Sequence, residues 1–155
     1  MDIGSGSGYP ASALSNFAPH AFIFDGVECA SMEGLLQAFK FDKHHIQIEV
    51  CTNVGITAKR RGSKRSKHWK RVQKLWWKDV EYDRHGPEYQ ELLDAAYAAL
   101  ATNASFRRAL HATGNAVLTH SIGRANASET VLTRNEMCRR LTKTRDAIRK
   151  LGLVP

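Results

Sequence analysis

Glu33, Gln37 and Lys40 put a carboxyl, an amide and an amine at positions i, i+4 and i+7. On an α-helix these three share one stripe. A carboxyl and an amine on one face can work as acid/base and nucleophile. The same stripe turned to water would be an ordinary polar face. Positions i and i+7 lie about 10 Å apart at Cα. Both side chains must therefore bend over the same turn, with Gln37 between them, to meet one substrate.

A second grouping is electrostatic. From Lys59 to Arg71 the chain reads KRRGSKRSKHWKR, with eight Lys/Arg and no acid. The whole protein carries 23 Lys/Arg against 15 Asp/Glu, so this segment holds the entire excess of +8 and the remainder is neutral. A basic block in a neutral body points to a polyanion, either nucleic-acid phosphate or a pyrophosphate-bearing ligand. A solvated basic loop is the alternative. Trp69 lies inside the block, and Trp76 and Trp77 follow it. An indole beside cations can stack on a base while the charges hold phosphate. Trp69 is the expected platform, and Trp76 is expected in the core.

Other chemistries lack their residues. The seven histidines form no H-E-x-x-H or comparable ligand spacing, so no metal or other cofactor is expected. There is no G-x-S-x-G turn and no Walker A loop. Cys29, Cys51 and Cys138 are odd in number and make no C-x-x-C pair, which argues against a disulfide framework. No apolar run approaches the roughly 20 residues that span a bilayer, and Met1 to Gly4 does not open a signal peptide. The expectation is a cytoplasmic protein without membrane contact.

The elements that must position these groups follow from pattern. A length of 155 residues, 43% apolar, suits one domain. Residues 1–12, with Gly4-Ser-Gly-Ser-Gly8, are expected as a flexible lead-in, and 13–155 as the domain. Phe22-Ile23-Phe24 and Val27-Glu28-Cys29 flank Asp25-Gly26, a hairpin signal. Ser31 caps a helix whose inward face is Met32, Leu35, Leu36 and Phe39. Residues 46–54 read as β-like, and 66–78 as one helix. Helices follow over 88–101, from Asn103 to about Gly114, and from a capping box at Thr133-Arg134-Asn135-Glu136 to Gly152. Met137, Leu141, Ile148 and Leu151 should face inward. Ala116-Val117-Leu118 is strand-like, and 122–130 is a loop. The sum is an α+β domain, mostly helical with a few short strands.

Several of these segments, in this order, resemble the NADAR family of YbiA-like proteins. They are Leu14-Ser15-Asn16-Phe17, the Asp25-Gly26 hairpin, Ser31-x-Glu33-x3-Gln37-x2-Lys40-Phe41, Ala58 to Gly62 with a following Trp69, Arg107 to Gly114, and Asn135-x-Met137-x3-Leu141-x3-Arg145. The likeness spans about Leu14 to Leu151. Gly34 stands where that family usually has His, and Leu36 where it has Tyr. Its D-x-x-W-G segment before the last helix is missing; the region here is Ser121-Ile122-Gly123-Arg124 and Glu129 to Thr133.

The resemblance implies a metal-independent hydrolase of N-glycosidic bonds. Some members act on a phosphorylated ribosyl intermediate of riboflavin synthesis. Others remove ADP-ribose from guanine in nucleic acid and serve as antitoxins to DarT-type DNA ADP-ribosyltransferases; the departures fit that branch better. Substrate and product would then be guanine-ADP-ribosylated DNA and ADP-ribose, with a functional pairing to a DarT-type toxin. A non-catalytic binder of ADP-ribose or nucleic acid is the further alternative. Breaking a C1′–N bond needs a protonated leaving nitrogen, a stabilised oxocarbenium-like centre and capture of C1′. Glu33 would be the acid/base. Lys40 would form a Schiff base with C1′ of the opened sugar or act electrostatically. Ser15, Asn16, Phe17, Gln37, Gly123 and Asn135 would bind the ligand, Arg60, Arg61 and Gly62 its pyrophosphate, and Trp69 a base. Lys64, Arg65, Lys67 and Lys70 would track the DNA backbone.

Overall fold

The computed structural model describes residues 1–152; the end of the expected domain, 153–155, lies outside them. A short 3-10 helix, Ala11–Leu14, leads into the hairpin β1 (Phe22–Phe24) and β2 (Val27–Cys29). Four short helices follow: α1 (Met32–Ala38), α2 (His44–Cys51), α3 (Gly55–Ser63) and α4 (Ser66–Val72). A second hairpin, β3 (Lys74–Trp77) and β4 (Val80–Asp83), precedes α5 (Pro87–Leu100), α6 (Ala104–Ala112) and α7 (Arg134–Lys150). Both hairpins are antiparallel and stand as separate two-stranded sheets. This is the α+β, mostly helical architecture expected.

The core forms around α1. Every residue from Met32 to Ala38 is buried, because α2 and α3 cover one side while β2 and the core aromatics cover the other. Two glycines permit the close approaches. A Cβ on Gly34 would lie 2.7 Å from the Asn53 carbonyl oxygen and close to those of Val50 and Cys51, so the end of α2 rests directly on the α1 backbone. No larger side chain fits there unless this backbone shifts. A Cβ on Gly62 would collide with the Gln37 side chain; with Ala58 it forms the small face by which α3 packs on α1.

Several parts of the chain differ from the sequence expectation. Residues 46–54 are mainly helical: Gln47 is buried, and its amide donates to the carbonyls of Phe41 (2.8 Å) and Trp76 (2.9 Å) while accepting from Lys78 N–H (3.2 Å). The helix expected over 66–78 stops at Val72. Gln73 adopts a left-handed conformation (φ 53°), and the chain turns into β3. At the far end, Leu151 is 70% exposed rather than inward.

Residues 1–12, expected as a flexible lead-in, are placed against the body. Ile3 is buried, its N–H donates to the Thr119 carbonyl (2.7 Å), and the Asp2 carboxylate accepts from Ser121 N–H (2.8 Å). In the second half of the chain Ala116-Val117-Leu118, expected as strand-like, forms no strand, while the helices follow expectation. Asn103 caps α6, and Thr133 with Glu136 closes the capping box of α7. Among the described residues no helix is long and apolar enough to cross a membrane.

Candidate active site

A cavity of about 410 Å³ opens beside α1. Its wall includes Glu33 and Gln37 from α1, Lys40 from the turn that ends α1, Ser15 to Phe17 from the preceding loop, Lys59 and Ser63 from α3, and Ser66, Trp69 and Lys70 from α4. Residues 120, 122–124 and 129–132 close the opposite side. The polar stripe of α1 thus meets an internal cleft and not bulk water.

The α1 register sets the reactive groups. Ser31 Oγ accepts from Gly34 N–H at 3.1 Å, fixing the first turn. Glu33 N–H donates to the Asn16 carbonyl at 3.0 Å, and Tyr97 O–H donates to Asn16 Oδ1 at 3.1 Å. The Ser15–Phe17 loop is therefore tied to both α1 and α5. Gln37 Nε2 donates to Glu33 Oε1 at 2.8 Å, and Lys40 Nζ donates to Ser66 Oγ at 3.3 Å.

Glu33 is 9% exposed and Lys40 8%. Burial pushes the Glu33 carboxyl up, only partly offset by the Gln37 hydrogen bond and by the charges of Lys40 and Lys59. Burial pulls the Lys40 ammonium down to about 8; Glu33 opposes the change, and Lys70 and Lys59 reinforce it. A carboxyl that holds its proton longer and an amine that loses its proton sooner are the forms general-acid and nucleophilic work require. Among the described residues, two buried polar atoms of this wall, Gln37 Oε1 and Trp69 Nε1, have no hydrogen-bond partner.

The far wall is held by a buried ion pair. Arg84 is 1% exposed and grips Glu136 with two hydrogen bonds, 2.7 and 3.1 Å, while its Nε donates to the Thr130 carbonyl at 2.9 Å. Burial pushes the Glu136 carboxyl up, but Arg84, Gln90 and Thr133 N–H outweigh it and hold the carboxyl below the usual range. Tyr89 O–H donates to the Val131 carbonyl at 2.5 Å. These bonds pin residues 130–133 over the cleft.

The structure gathers Glu33, Gln37, Lys40, Ser15, Asn16, Phe17, Trp69, Lys70 and Gly123 at this cleft. It does not bring Arg60, Arg61 or Asn135 there. Arg60 and Asn135 are exposed elsewhere, and Arg61 pairs with Glu49 at 3.0 Å. Gly62 faces Gln37 as a packing residue. Lys64 and Lys67 are exposed outside the cleft. Arg65 donates to the Lys40 carbonyl and faces Asp42 at 3.9 Å. Trp69 is 1% exposed, so its ring forms part of the cleft wall and is not an open stacking platform. Sequence reading passed over Ser5, Ser63, Ser66, His120, Arg124, Glu129 and Thr130 at the cleft. Lys59 was visible only as part of the basic run. No local pattern marks these residues, because distant segments converge only in the fold.

The family model described as bacteriophage protein GP30.3 matches residues 8–146. The chain belongs to the bacteriophage GP30.3 family. It is 33% identical over 150 residues to an uncharacterized 17.1 kDa protein in the Gp30-rIII intergenic region of enterobacteria phage T4, covering 96% of this chain and 98% of that one. In three dimensions it is similar to the NMR structure of the E. coli protein YbiA, with a TM-score of 0.62, 20% identity, and coverage of 99% of this chain and 86% of that one. At that identity the agreement speaks for the fold alone. It bears out the YbiA-like architecture implied by the NADAR resemblance.

Proposed function

We propose that this GP30.3-family protein hydrolyses an N-glycosidic bond at ribose C1′, and that its substrate is ADP-ribose attached to guanine in DNA. One observation carries the proposal: a buried carboxyl and a buried amine, separated by Gln37, face one cleft whose rim holds Lys59, Lys70 and Arg124. The rim cations suit the diphosphate of the ligand. Glu33 in its protonated form delivers a proton to the exocyclic guanine nitrogen as the C1′–N bond breaks. The neutral Lys40 amine bonds to C1′ as guanine leaves with the Glu33 proton. Cleavage of the C1′–O4′ bond then opens the sugar, O4′ taking a proton from the Lys40 nitrogen, and a protonated imine joins Lys40 to C1′. Water adds to that imine, activated by the Glu33 carboxylate, and free ADP-ribose departs as Lys40 is regenerated. The residues required are an acid/base and an amine, so the reaction is expected to persist in chelator. Removal of the modification would make the protein an antidote to a DarT-type DNA ADP-ribosyltransferase.

The experiment sets two substrates side by side: a guanine-ADP-ribosylated oligonucleotide and a phosphoribosylamino-pyrimidine of the riboflavin-pathway type, both with chelator. Release of ADP-ribose, at a rate well above sugar release from the pyrimidine, is the expected result. Preference for the pyrimidine would move the protein to small-metabolite hydrolysis. Binding of the oligonucleotide without release would make it a binder.

A further inference from the structure

The basic block folds into two helices, and the outward side of the second has no role in the cleft. Of its eight cations, Arg61 pairs with Glu49 and Arg65 with Asp42; the other six have no ion-pair partner among the described residues. Lys67, Lys70 and Arg71 are exposed along α4. At 100° per residue, Ser66, Trp69 and Lys70 turn toward the cleft, Lys67 lies on the flank, and Arg71 and His68 are near the back.

There His68 stacks on Trp76 of β3, with ring centroids 5.7 Å apart and planes 18° from parallel. Arg71 lies 3.2 Å from His68 Nδ1. Trp69 and Trp77 are buried, 1% and 3% exposed, whereas Trp76 is only half-buried. An aromatic pair beside unpaired cations is the composition of a single-strand binding surface, in which rings stack bases and cations hold phosphates. Of the acids around it, Asp42 faces Arg65 and Glu129 faces Arg124, and on β4 Glu81 lies opposite Trp76 and Asp83 opposite Lys74. The two on β4 bound the basic surface on that side and leave α4 itself free of carboxylates.

We propose that the outer face of α4 with Trp76 binds single-stranded DNA, Lys67, Lys70 and Arg71 holding successive phosphates and the His68–Trp76 pair stacking a base. Lys70 belongs to both the cleft rim and this surface, so the strand passes from the cleft over α4. The stacked base then flanks the modified guanine and is not the guanine itself. That last placement rests on the function proposed above; binding of the strand does not.

The probe is an unmodified 12-nucleotide thymidine strand, which contains no ADP-ribose and tests the surface independently of hydrolysis. Titration at low salt should give saturable binding by anisotropy and quench tryptophan emission, because the half-buried indole is the one a base can reach. Trp76→Leu should weaken binding about 5- to 100-fold, the worth of one stacked base, with its melting curve confirming a folded protein. The double variant Lys67→Gln/Arg71→Gln lies on the surface and should keep the fold. It should flatten the plot of log affinity against log salt by about 0.7 per lost phosphate contact. A duplex of the same length should bind more weakly, since its bases are not free to stack. Absence of binding, binding without quenching, an unchanged salt slope in the double variant, or equal affinity for duplex would each overturn the proposal.

Discussion

Replacing Lys40 by Met tests the electrostatics of the cleft through stability alone. In the unfolded chain a lysine holds its proton up to about pH 10.5; in the folded protein Lys40 releases it near 8. Between these values the unfolded state binds more protons, so folding stability rises with pH. Below pH 8 both states are protonated and the folded protein carries the full burial penalty, about 3 kcal/mol at 1.36 kcal/mol per tenfold change in acidity constant. By pH 9.5 the wild type should have regained ~2 kcal/mol of it. Other alkaline titrations, including the buried Tyr89 and Tyr97 that burial pushes up, are common to both proteins and cancel. The assay is a pair of thermal melts at pH 7, 8, 9 and 9.5. The wild-type Tm minus that of Lys40→Met should rise by about 4–8 °C across the series. The same shift makes about a quarter of Lys40 neutral at pH 7.5, roughly two-hundredfold more than an ordinary lysine. A difference in Tm that does not change with pH would refute both the burial argument and the supply of neutral amine.

Three further outcomes are expected. Gly62→Ala places a methyl group where Gln37 now sits, so it should cost about 1–3 kcal/mol in denaturant melts and lower turnover by displacing Gln37 from Glu33. Arg84→Ala leaves Glu136 buried without its cation and should cost about 3–5 kcal/mol; the loosened 130–133 wall should also raise KM. Hydrolysis of a modified oligonucleotide should fall steeply with added salt while hydrolysis of the free modified nucleoside should not; equal sensitivity would remove backbone tracking from the basic block.

Much of the scaffold was legible in sequence where a local signal governs it. Asp25-Gly26, the Ser31 cap and the Thr133 capping box each fix an element by chemistry within four residues. The second hairpin was not, because its turn is Lys78-Asp79, both with positive φ and neither a glycine. Residues 46–54 misled for a related reason: alternating apolar residues suggested a strand, but the hydrogen bonds of Gln47 to Phe41 and Trp76 come from other parts of the fold. Within the site, spacing placed Glu33, Gln37 and Lys40 on one helical stripe; the cleft gathers all three, but the helix ends at Ala38 and Lys40 reaches the cleft from the turn beyond it. Proximity in sequence overstated the rest. Helical periodicity turns Arg60 and Arg61 away from the cleft, while Trp69, from the same basic run, turns into its wall.

The most direct test of the central claim is ADP-ribose release from a guanine-ADP-ribosylated oligonucleotide by wild type, Glu33→Gln and Lys40→Ala, with chelator present and all three proteins shown to be folded. Wild type should release ADP-ribose, and each variant should be slower by at least about a hundredfold, the usual worth of a positioned acid or base. Release at similar rates by all three would contradict the assignment of Glu33 and Lys40 as the reacting pair, and no release by the wild type would contradict the hydrolase itself.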